Sequence, residues 1–403
     1  MESTIEQVRV FLHELFPAEC HGQVWLVGGT VRDALLQRPL KDIDLVAAVS
    51  AGKLEQLGFR PVEGKTTGSI WFRNFPSIGT VEITRIGAAE ALPDDLLRRD
   101  FTVNAMLLPI SGDPADPLGG LADLAKRQLR PCSAQTFSND PLRIFRAFRF
   151  AAEGFSLQAE TAALIRSQAW EERLQLIPVE RFSREMLKAF AAPGPQRFFL
   201  NMLDFSVGRC WLPELFRMAQ IPAGPLRYHP EGDLLAHSIE VLERLSAVSA
   251  DPVARFCAFF HDIGKLSTDA LHYPQHHGHE KAGSRVAEDF CRKLALPTDY
   301  GRALATVSRL HGNANKIAEL RPATKIRMAE QAIRGGVVDI LPLIASADKG
   351  ANDFDVHGWL QIVAVARMNS SELGIDTGRL TVLQAVRRSE FILQRRVELL
   401  KSS

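Results

Sequence analysis

Leu26-Val-Gly-Gly-Thr-Val-Arg-Asp33 runs from a short apolar stretch into a helical pattern, and Asp42-Ile-Asp44 opens the next apolar stretch. The reading of these two segments decides the fold of the N-terminal part. Paired glycines let the backbone turn sharply and approach a ligand closely. The N–H groups at the start of the following helix favour an anion such as a triphosphate. A glycine pair also has a purely structural use. In Asp42-Ile-Asp44, strand alternation puts both carboxylates on one face and Ile43 in the core. Adjacent carboxylates repel each other unless a cation lies between them, and hard oxygen ligands suit Mg²⁺ held together with substrate phosphates. Glu82, in Thr80-Val-Glu-Ile-Thr-Arg85, lies on a later strand and is the candidate third acid. This set fits two-metal phosphoryl transfer, with ions about 4 Å apart. The alternative is a solvated strand end with incidental acids.

Around these segments, Val24–Val27, Ile43–Ala48, Ile70–Phe72 and Thr80–Ile83 read as strands. Helical patterns separate some of them, so the first 130 or so residues read as mixed α and β. From Asp140 the spacing turns helical, as in Pro141–Ala152, Val179–Ala191 and Leu234–Ser246. Ala192-Pro-Gly-Pro195 and Ile221-Pro-Ala-Gly-Pro225 are breakers. Nine of the eleven histidines follow residue 228, which marks a change of chemistry.

The chain has 403 residues, too many for one typical domain. Its 46% hydrophobic and 24% charged residues exclude a disordered or collagenous chain. Lysine and arginine number 48 against 47 acids, so a chain-wide basic field for nucleic acid is excluded, though a local basic face is not. Five scattered cysteines without CxxC spacing argue against a zinc ribbon or a disulfide framework. Met1 to Leu15 carries acids and does not read as a signal peptide. No run approaches the roughly 20 apolar residues of a membrane span. A cytoplasmic protein with no membrane partner is the expectation.

Arg98-Arg-Asp-Phe-Thr-Val-Asn104 places Asp100 and Asn104 four apart, which on a helix is one face. A carboxylate and an amide so placed suit a ribose and a metal-bound phosphate; an N-capped helix after a basic pair is the structural alternative. Asn139-Asp-Pro-Leu-Arg143 opens a helix, with Asp140 as its cap and Pro141 in its first turn. Asp140 accepts and Arg143 donates, so together they match a nucleobase edge. Arg143, Arg146 and Arg149 recur every third residue, as a phosphate-contacting or a solvated face.

Taken together, Gly28-Gly-Thr-Val-Arg-Asp33, Asp42-x-Asp44, Arg98-Arg-Asp-Phe-Thr-Val-Asn-Ala105, Asp140-x-x-Arg143 and Glu180-Arg-Phe-Ser-Arg-Glu185 occur in an order that resembles bacterial class II tRNA nucleotidyltransferases and poly(A) polymerases. The resemblance covers about residues 20 to 220. It implies an α+β chain: a polymerase-β-like nucleotidyltransferase head, then an all-α neck and body. By that resemblance Asp42 and Asp44 look like the Mg²⁺-binding acids. Gly28, Gly29, Arg32 and Asp33 look like the phosphate turn. Arg99, Asp100 and Asn104 look like ribose and triphosphate contacts. Asp140 and Arg143 look like the amino-acid template for incoming CTP or ATP, with Arg146 next to it, and Glu180 to Glu185 would lie on a supporting helix. Two departures stand out. The family usually has Glu before the template Asp, whereas here it is Asn139, which cannot offer Arg143 a charged partner. Only twelve residues, Ile86–Leu97, separate Arg85 from Arg98, a short loop that looks more like CC-adding members than CCA-adding ones.

The histidine-rich part has His237 in an amphipathic helical pattern, His261-Asp262 after the apolar Val253–Phe260, and Asp348 farther on. Imidazoles with carboxylates suit transition metals. The order resembles an HD domain, which implies a phosphoester hydrolase using Mg²⁺, Mn²⁺, Ni²⁺ or Co²⁺, or a degenerate structural copy. His277, His279 and His311 are candidates for a second metal. His276 lies beside them. The tail from Gly378 carries Arg379, Arg387, Arg388, Arg395, Arg396 and Lys401, accompanied by apolar residues at helical spacing, as a solvated basic face or an RNA contact.

The resulting division is 1–135 for the head, 136–225 for neck and body, 226–360 for the HD-like domain and 361–403 for the tail. The leading expectation is addition of CMP, with or without a following AMP, to the tRNA 3′ end. RNA would be read by shape and backbone, since no sequence-reading module is visible. A poly(A) polymerase or A-adding enzyme, an HD phosphohydrolase with a non-catalytic RNA-binding head, and a non-catalytic RNA-binding protein stay open, as does the oligomeric state.

Overall fold

Strand β1 (Val24–Leu26) ends where helix Gly28–Leu35 begins, and β2 (Asp42–Ala47) returns antiparallel beside it. The computed structural model describes residues 4–40, 42–62, 69–351, 353–375 and 387–402. Its contacts divide the chain into two units, Met1–Ala169 and Trp170–Ser403.

The first unit is built on a six-stranded sheet completed by β3 (Arg60–Pro61), β4 (Ser69–Phe75), β5 (Gly79–Arg85) and β6 (Leu108–Pro109). The strand order is β3-β4-β5-β2-β1-β6, and β2 and β5 pair in parallel at its centre. Ile43, Leu45, Val81 and Ile83 are fully buried on these two strands. Val46, on the face of β2 shared with Asp42 and Asp44, packs with Leu96, Ala105 and Leu107. The strand is therefore covered on both faces except at its start, where Asp42 is exposed and Asp44 half-buried. The acids sit where the cover stops.

Helix Arg143–Ala152 belongs to this unit and buries Phe145, Phe148 and Phe150. The twelve residues Ile86–Leu97, expected as a loop, are instead mostly helical, in a turn at Ala89–Ala91 and a helix at Leu92–Leu97. Asp94 and Asp95 in the first turn of that helix suit its dipole, and Pro93 fits its start.

The described part of the second unit is helical. Helix Val179–Phe190 buries Phe182, Met186, Ala189 and Phe190 at three- and four-residue spacing, and the Pro-Gly-Pro segment separates it from Gln196–Asp204. Its core is rich in phenylalanine. Phe199 stacks on Phe259 at 4.3 Å, Phe190 meets Phe256 edge-on at 5.5 Å, and Phe260 lies 4.8 Å from Phe290. Each buried ring contributes about 2–3 kcal/mol. Helices Leu234–Val248, Pro252–Phe260, His279–Lys293, Thr298–Asn315 and Ile340–Lys349 carry the histidine cluster or run into it. In the tail, helix Arg388–Ser402 is held by Arg396, which bonds Glu330 at 2.5 Å and the Met368 carbonyl at 2.7 Å. Arg379 lies outside the described residues. No described helix is long and apolar enough to cross a membrane.

Gly264, in the turn Ile263–Ser267, meets the backbone of helix His279–Lys293. A Cβ there would lie 2.2 Å from the His279 carbonyl oxygen and 2.7 Å from the Gly283 backbone. Backbone cannot swing aside as a side chain can. Gly264→Ala should therefore destabilise the chain by about 3 kcal/mol. Thermal unfolding checks this; a melting point within a degree of wild type would show that the two segments separate at no cost.

Candidate active sites

In the first unit, the parallel register sets Asp44 opposite Glu82 and Asp42 opposite Thr80. Glu82 is exposed, so its carboxylate is on the solvated end of the same pair of strands. Burial raises the Asp44 pKa, and the charges of Glu82 and Asp42 raise it further, against Arg99 and a hydrogen bond from Gly29. Burial and like charges thus both oppose ionisation of Asp44, an arrangement that a bound cation would relieve.

The glycine turn is fastened to these acids. Gly29 N–H donates to Asp44 Oδ2 at 3.2 Å. Gly28 has φ of +64°, and a Cβ on it would come within 3.0 Å of Asp44 Oδ2. Both conformation and space therefore require glycine here. Thr30 completes the join: its hydroxyl accepts from Asp44 N–H at 2.7 Å and donates to the Asp42 carbonyl at 3.2 Å. The sequence motif alone assigns Thr30 no role, although a hydroxyl one residue past a glycine turn is a signal for one.

The remaining head candidates form a chain of charges. Arg32 grips Asp33 with two hydrogen bonds, at 3.0 and 2.9 Å, and donates to Asn104 Oδ1 at 2.6 Å. Asn104 donates to Asp100 at 2.9 Å, and Arg146 pairs with the same carboxylate at 2.6 Å. Burial opposes a charge on Asp100, but Arg146, Asn104 and the Phe101 N–H outweigh it and hold the pKa well below the carboxylate range. On the other side, Arg38 lies 3.8 Å from Asp33 and 3.0 Å from Glu153, which also holds Arg149. Arg149, expected on a solvated or RNA-facing surface, is instead buried against Glu153 and the Phe150 ring.

Asp100 and Asn104 do meet, but not across a helix. Phe101 bridges Pro131 in extended backbone, and only Thr102–Asn104 turns, as 3₁₀ helix. The Asn104 amide folds back onto Asp100. Arg99 pairs with Asp95 at 3.1 Å beside the glycine turn. Arg143 donates to the carbonyls of Arg99 and Thr136 at 3.2 and 3.3 Å and to that of Arg98. Asp140 accepts from Leu142 N–H at 3.2 Å, but it does not cap the helix as expected: Arg143–Ala152 begins later, with Leu142 at its N-cap and no side-chain cap bond.

In the second unit, Asp262 is the hub. Its Oδ2 lies 3.3 Å from His261 Nε2, 3.8 Å from His237 Nε2 and 2.6 Å from Lys265 Nζ. Its Oδ1 lies 3.3 Å from both His279 Nε2 and His311 Nε2. Asp348 stands 3.1 Å from His237 Nε2 and 3.6 Å from His261 Nε2. His237 Nε2, His261 Nε2 and Asp262 Oδ1 are buried without a hydrogen bond among the described residues. Imidazole and carboxylate atoms brought together in this way could hold a metal ion, and the two oxygens of Asp262 belong to two such groups, His237-His261-Asp262 and Asp262-His279-His311. Burial lowers the His261 pKa, but Asp262 and Asp348 outweigh it and raise it to about 10. Burial likewise raises the Asp262 pKa, yet Lys265 and His261 keep it well below the usual range. His277 is exposed and outside this group; His276 bonds Thr268 and the Pro222 carbonyl instead.

A model of the poly A polymerase head domain matches residues 24–76 and 69–130. One described as the probable RNA and SrmB- binding site of polymerase A matches 154–218, and an HD domain model matches 234–341. The multifunctional CCA protein of Legionella pneumophila strain Lens is 33% identical over 335 residues, which cover 77% of this chain and 79% of that relative. That of Thioalkalivibrio sulfidiphilus is 34% identical over 334 residues, covering 76% and 79%. The chain belongs to the multifunctional CCA protein family.

The fold of this family member agrees with solved structures. It resembles the Bacillus stearothermophilus CCA-adding enzyme in complex with CTP, with a TM-score of 0.59 and 22% identity over 94% of this chain and 88% of that one. The Thermotoga maritima CCA-adding enzyme complexed with tRNA gives 0.60 and 18% over the same shares. The nucleotidyltransferase head, helical body and HD domain expected of the multifunctional CCA protein family are all present.

Proposed function

We propose that this chain adds CMP and then AMP to the 3′ end of tRNA, in the cytoplasm, and hydrolyses a phosphoester at a separate HD centre. The observation that carries the first part is the join between the Gly28-Gly29 turn and Asp44, with Glu82 opposite in register. It puts anion-binding N–H groups beside acids, as a nucleotide triphosphate with its cations requires. The relatives' shared name, multifunctional CCA protein, supports the same reading.

Asp42 and Asp44, with Glu82, would hold Mg²⁺, which when bound supplies charge to activate the 3′-hydroxyl and to steady the departing pyrophosphate. The hydroxyl attacks the α-phosphate in line and pyrophosphate leaves. Gly28, Gly29 and Arg99 line the phosphate side. Arg32 and Asn104 are the ribose and triphosphate contacts, held in place by Asp33 and by Asp100 with Arg146. Asp140 and Arg143 read the base edge. Arg143 takes its orientation from the backbone carbonyls of Arg98, Arg99 and Thr136, which substitute for the charged neighbour that Asn139 cannot supply. In the HD centre, His237, His261, Asp262 and Asp348 would hold one divalent ion, and Asp262, His279 and His311 a second. The division at 135/136, 225/226 and 360/361 goes with this assignment.

The short, helical Ile86–Leu97 favours a second reading, in which addition stops after two cytidines. Transcripts ending before CCA, at C and at CC, each with CTP, ATP or both, separate the readings. The expected result is two CMP followed by one AMP. CMP alone selects CC addition, AMP alone on the CC end an A-adding enzyme, and long A tails on unrelated RNA a poly(A) polymerase. No incorporation by wild type would refute the proposal.

A further inference from the structure

The segment between Ile221 and Leu234 closes on itself and onto the HD centre. Ala223 N–H donates to the Gly232 carbonyl at 2.9 Å, and Leu234 N–H to that of Ile221 at 2.8 Å. Lys265 Nζ donates to the Ala223 carbonyl at 2.6 Å, and His276 Nε2 to that of Pro222 at 2.7 Å. This brace fixes Glu231 against the outer side of His237. Glu231 Oε1 lies 2.7 Å from His237 Nδ1, and its side chain is 8% exposed.

A neutral imidazole carries one ring proton, so a hydrogen bond at one nitrogen decides which nitrogen has a free lone pair. The four imidazoles facing the centre are all anchored through Nδ1. His261, His279 and His311 use the carbonyls of Ala258, His276 and Ser308, at 2.8, 2.7 and 3.0 Å. His237 uses a carboxylate. A charged acceptor holds the ring more firmly than a carbonyl and makes the opposite nitrogen a stronger donor to metal.

We infer that Glu231 is a positioning residue of the HD centre, holding His237 with its proton on Nδ1 and its Nε2 lone pair toward Asp348 and Asp262. This rests on the reading of those residues as metal ligands. His229, 2.9 Å from the same Oε1, steadies the carboxylate from its other side. Gly224 leaves room for that ring, since a Cβ there would lie 2.4 Å from His229 Cδ2. His229, Glu231 and His237 also resemble a metal trio of their own. Both imidazoles, however, address one and the same oxygen atom, which is the arrangement of two donors around an acceptor rather than three ligands around a hollow.

The test titrates the full chain with Co²⁺ by calorimetry, following the visible absorption that reports imidazole ligation, with the tautomer of His237 read from ¹⁵N shifts in the metal-free protein. Glu231→Ala should bind Co²⁺ about 10–100-fold more weakly at this centre and lose the single Nδ1–H tautomer. Glu231→Gln, which keeps an acceptor without the charge, should fall between the two and carries the test if the alanine variant unfolds. CMP addition should be unchanged in both. Wild-type Co²⁺ affinity in Glu231→Ala, or an undisturbed tautomer, would overturn the assignment. A wild-type chain whose Co²⁺ titration is unaffected by His261→Ala would instead overturn the HD centre itself, and Glu231's role with it.

Discussion

CMP incorporation by the Asp42→Ala/Asp44→Ala double variant should fall by about a thousandfold or more, while tRNA still binds. In the proposed two-metal transfer both ions would depend on these acids, and the charge stabilisation lost would be worth at least about 4 kcal/mol, a factor of ten for each 1.36. The fold should survive the change. Asp44 is held with its pKa raised by burial and by Glu82, so removing its charge relieves a repulsion. The cost is one hydrogen bond from Gly29, about 1 kcal/mol. Single-turnover incorporation of labelled CMP with saturating tRNA isolates the chemical step. Activity within tenfold of wild type, with an unchanged circular dichroism spectrum, would exclude these acids from the reaction. Glu82→Ala should give the smaller loss, because Glu82 is the exposed member of the set.

The second large effect belongs to His261. His261→Ala should abolish metal-stimulated hydrolysis of a 2′,3′-cyclic phosphate, a loss of at least about a hundredfold, and leave CMP addition within twofold. Asp262 touches both groups of ligands but is the poorer choice for substitution. Its removal leaves the buried Lys265 ammonium without its 2.6 Å partner, an uncompensated charge costing about 3–5 kcal/mol. His261 gives up its pairings with Asp262 and Asp348, at 3.3 and 3.6 Å, and a hydrogen bond to the Ala258 carbonyl, but its removal leaves no buried ammonium behind. If wild type hydrolyses nothing with Mg²⁺, Mn²⁺, Ni²⁺ or Co²⁺, the cluster is a structural relic.

Much of both sites was legible because local rules carry it. Strand alternation alone sets Asp42 and Asp44 together, and the order His237, His261-Asp262, Asp348 survives any packing of the helices that bear them. Glu82 needed one further fact, the parallel register of β2 and β5, which no single strand contains. Asp100 and Asn104 were placed together for the wrong reason. Their spacing suggested a helix, but Phe101 is fully buried in extended backbone and the amide folds back over a 3₁₀ turn. The regular spacing of Arg143, Arg146 and Arg149 suggests a phosphate-contacting or solvated face for Arg149, and only tertiary contact shows it buried against Glu153. Glu231 was invisible for a similar reason: its partner, six residues on, is reached through a closed loop rather than along a helix. Tertiary register and loop closure are what periodicity cannot report.

The chain of charges from Arg149 through Glu153, Arg38, Asp33, Arg32, Asn104 and Asp100 to Arg146 has a consequence for how this head can diverge. Each inner charged member answers to neighbours on both sides, so neutralising one strands its partners in poorly solvated surroundings. A lineage can therefore seldom exchange one of these residues at a time. Surface acids and bases elsewhere drift singly. These positions would instead change together or stay still, which ties the history of helix Arg143–Ala152 to that of the glycine turn.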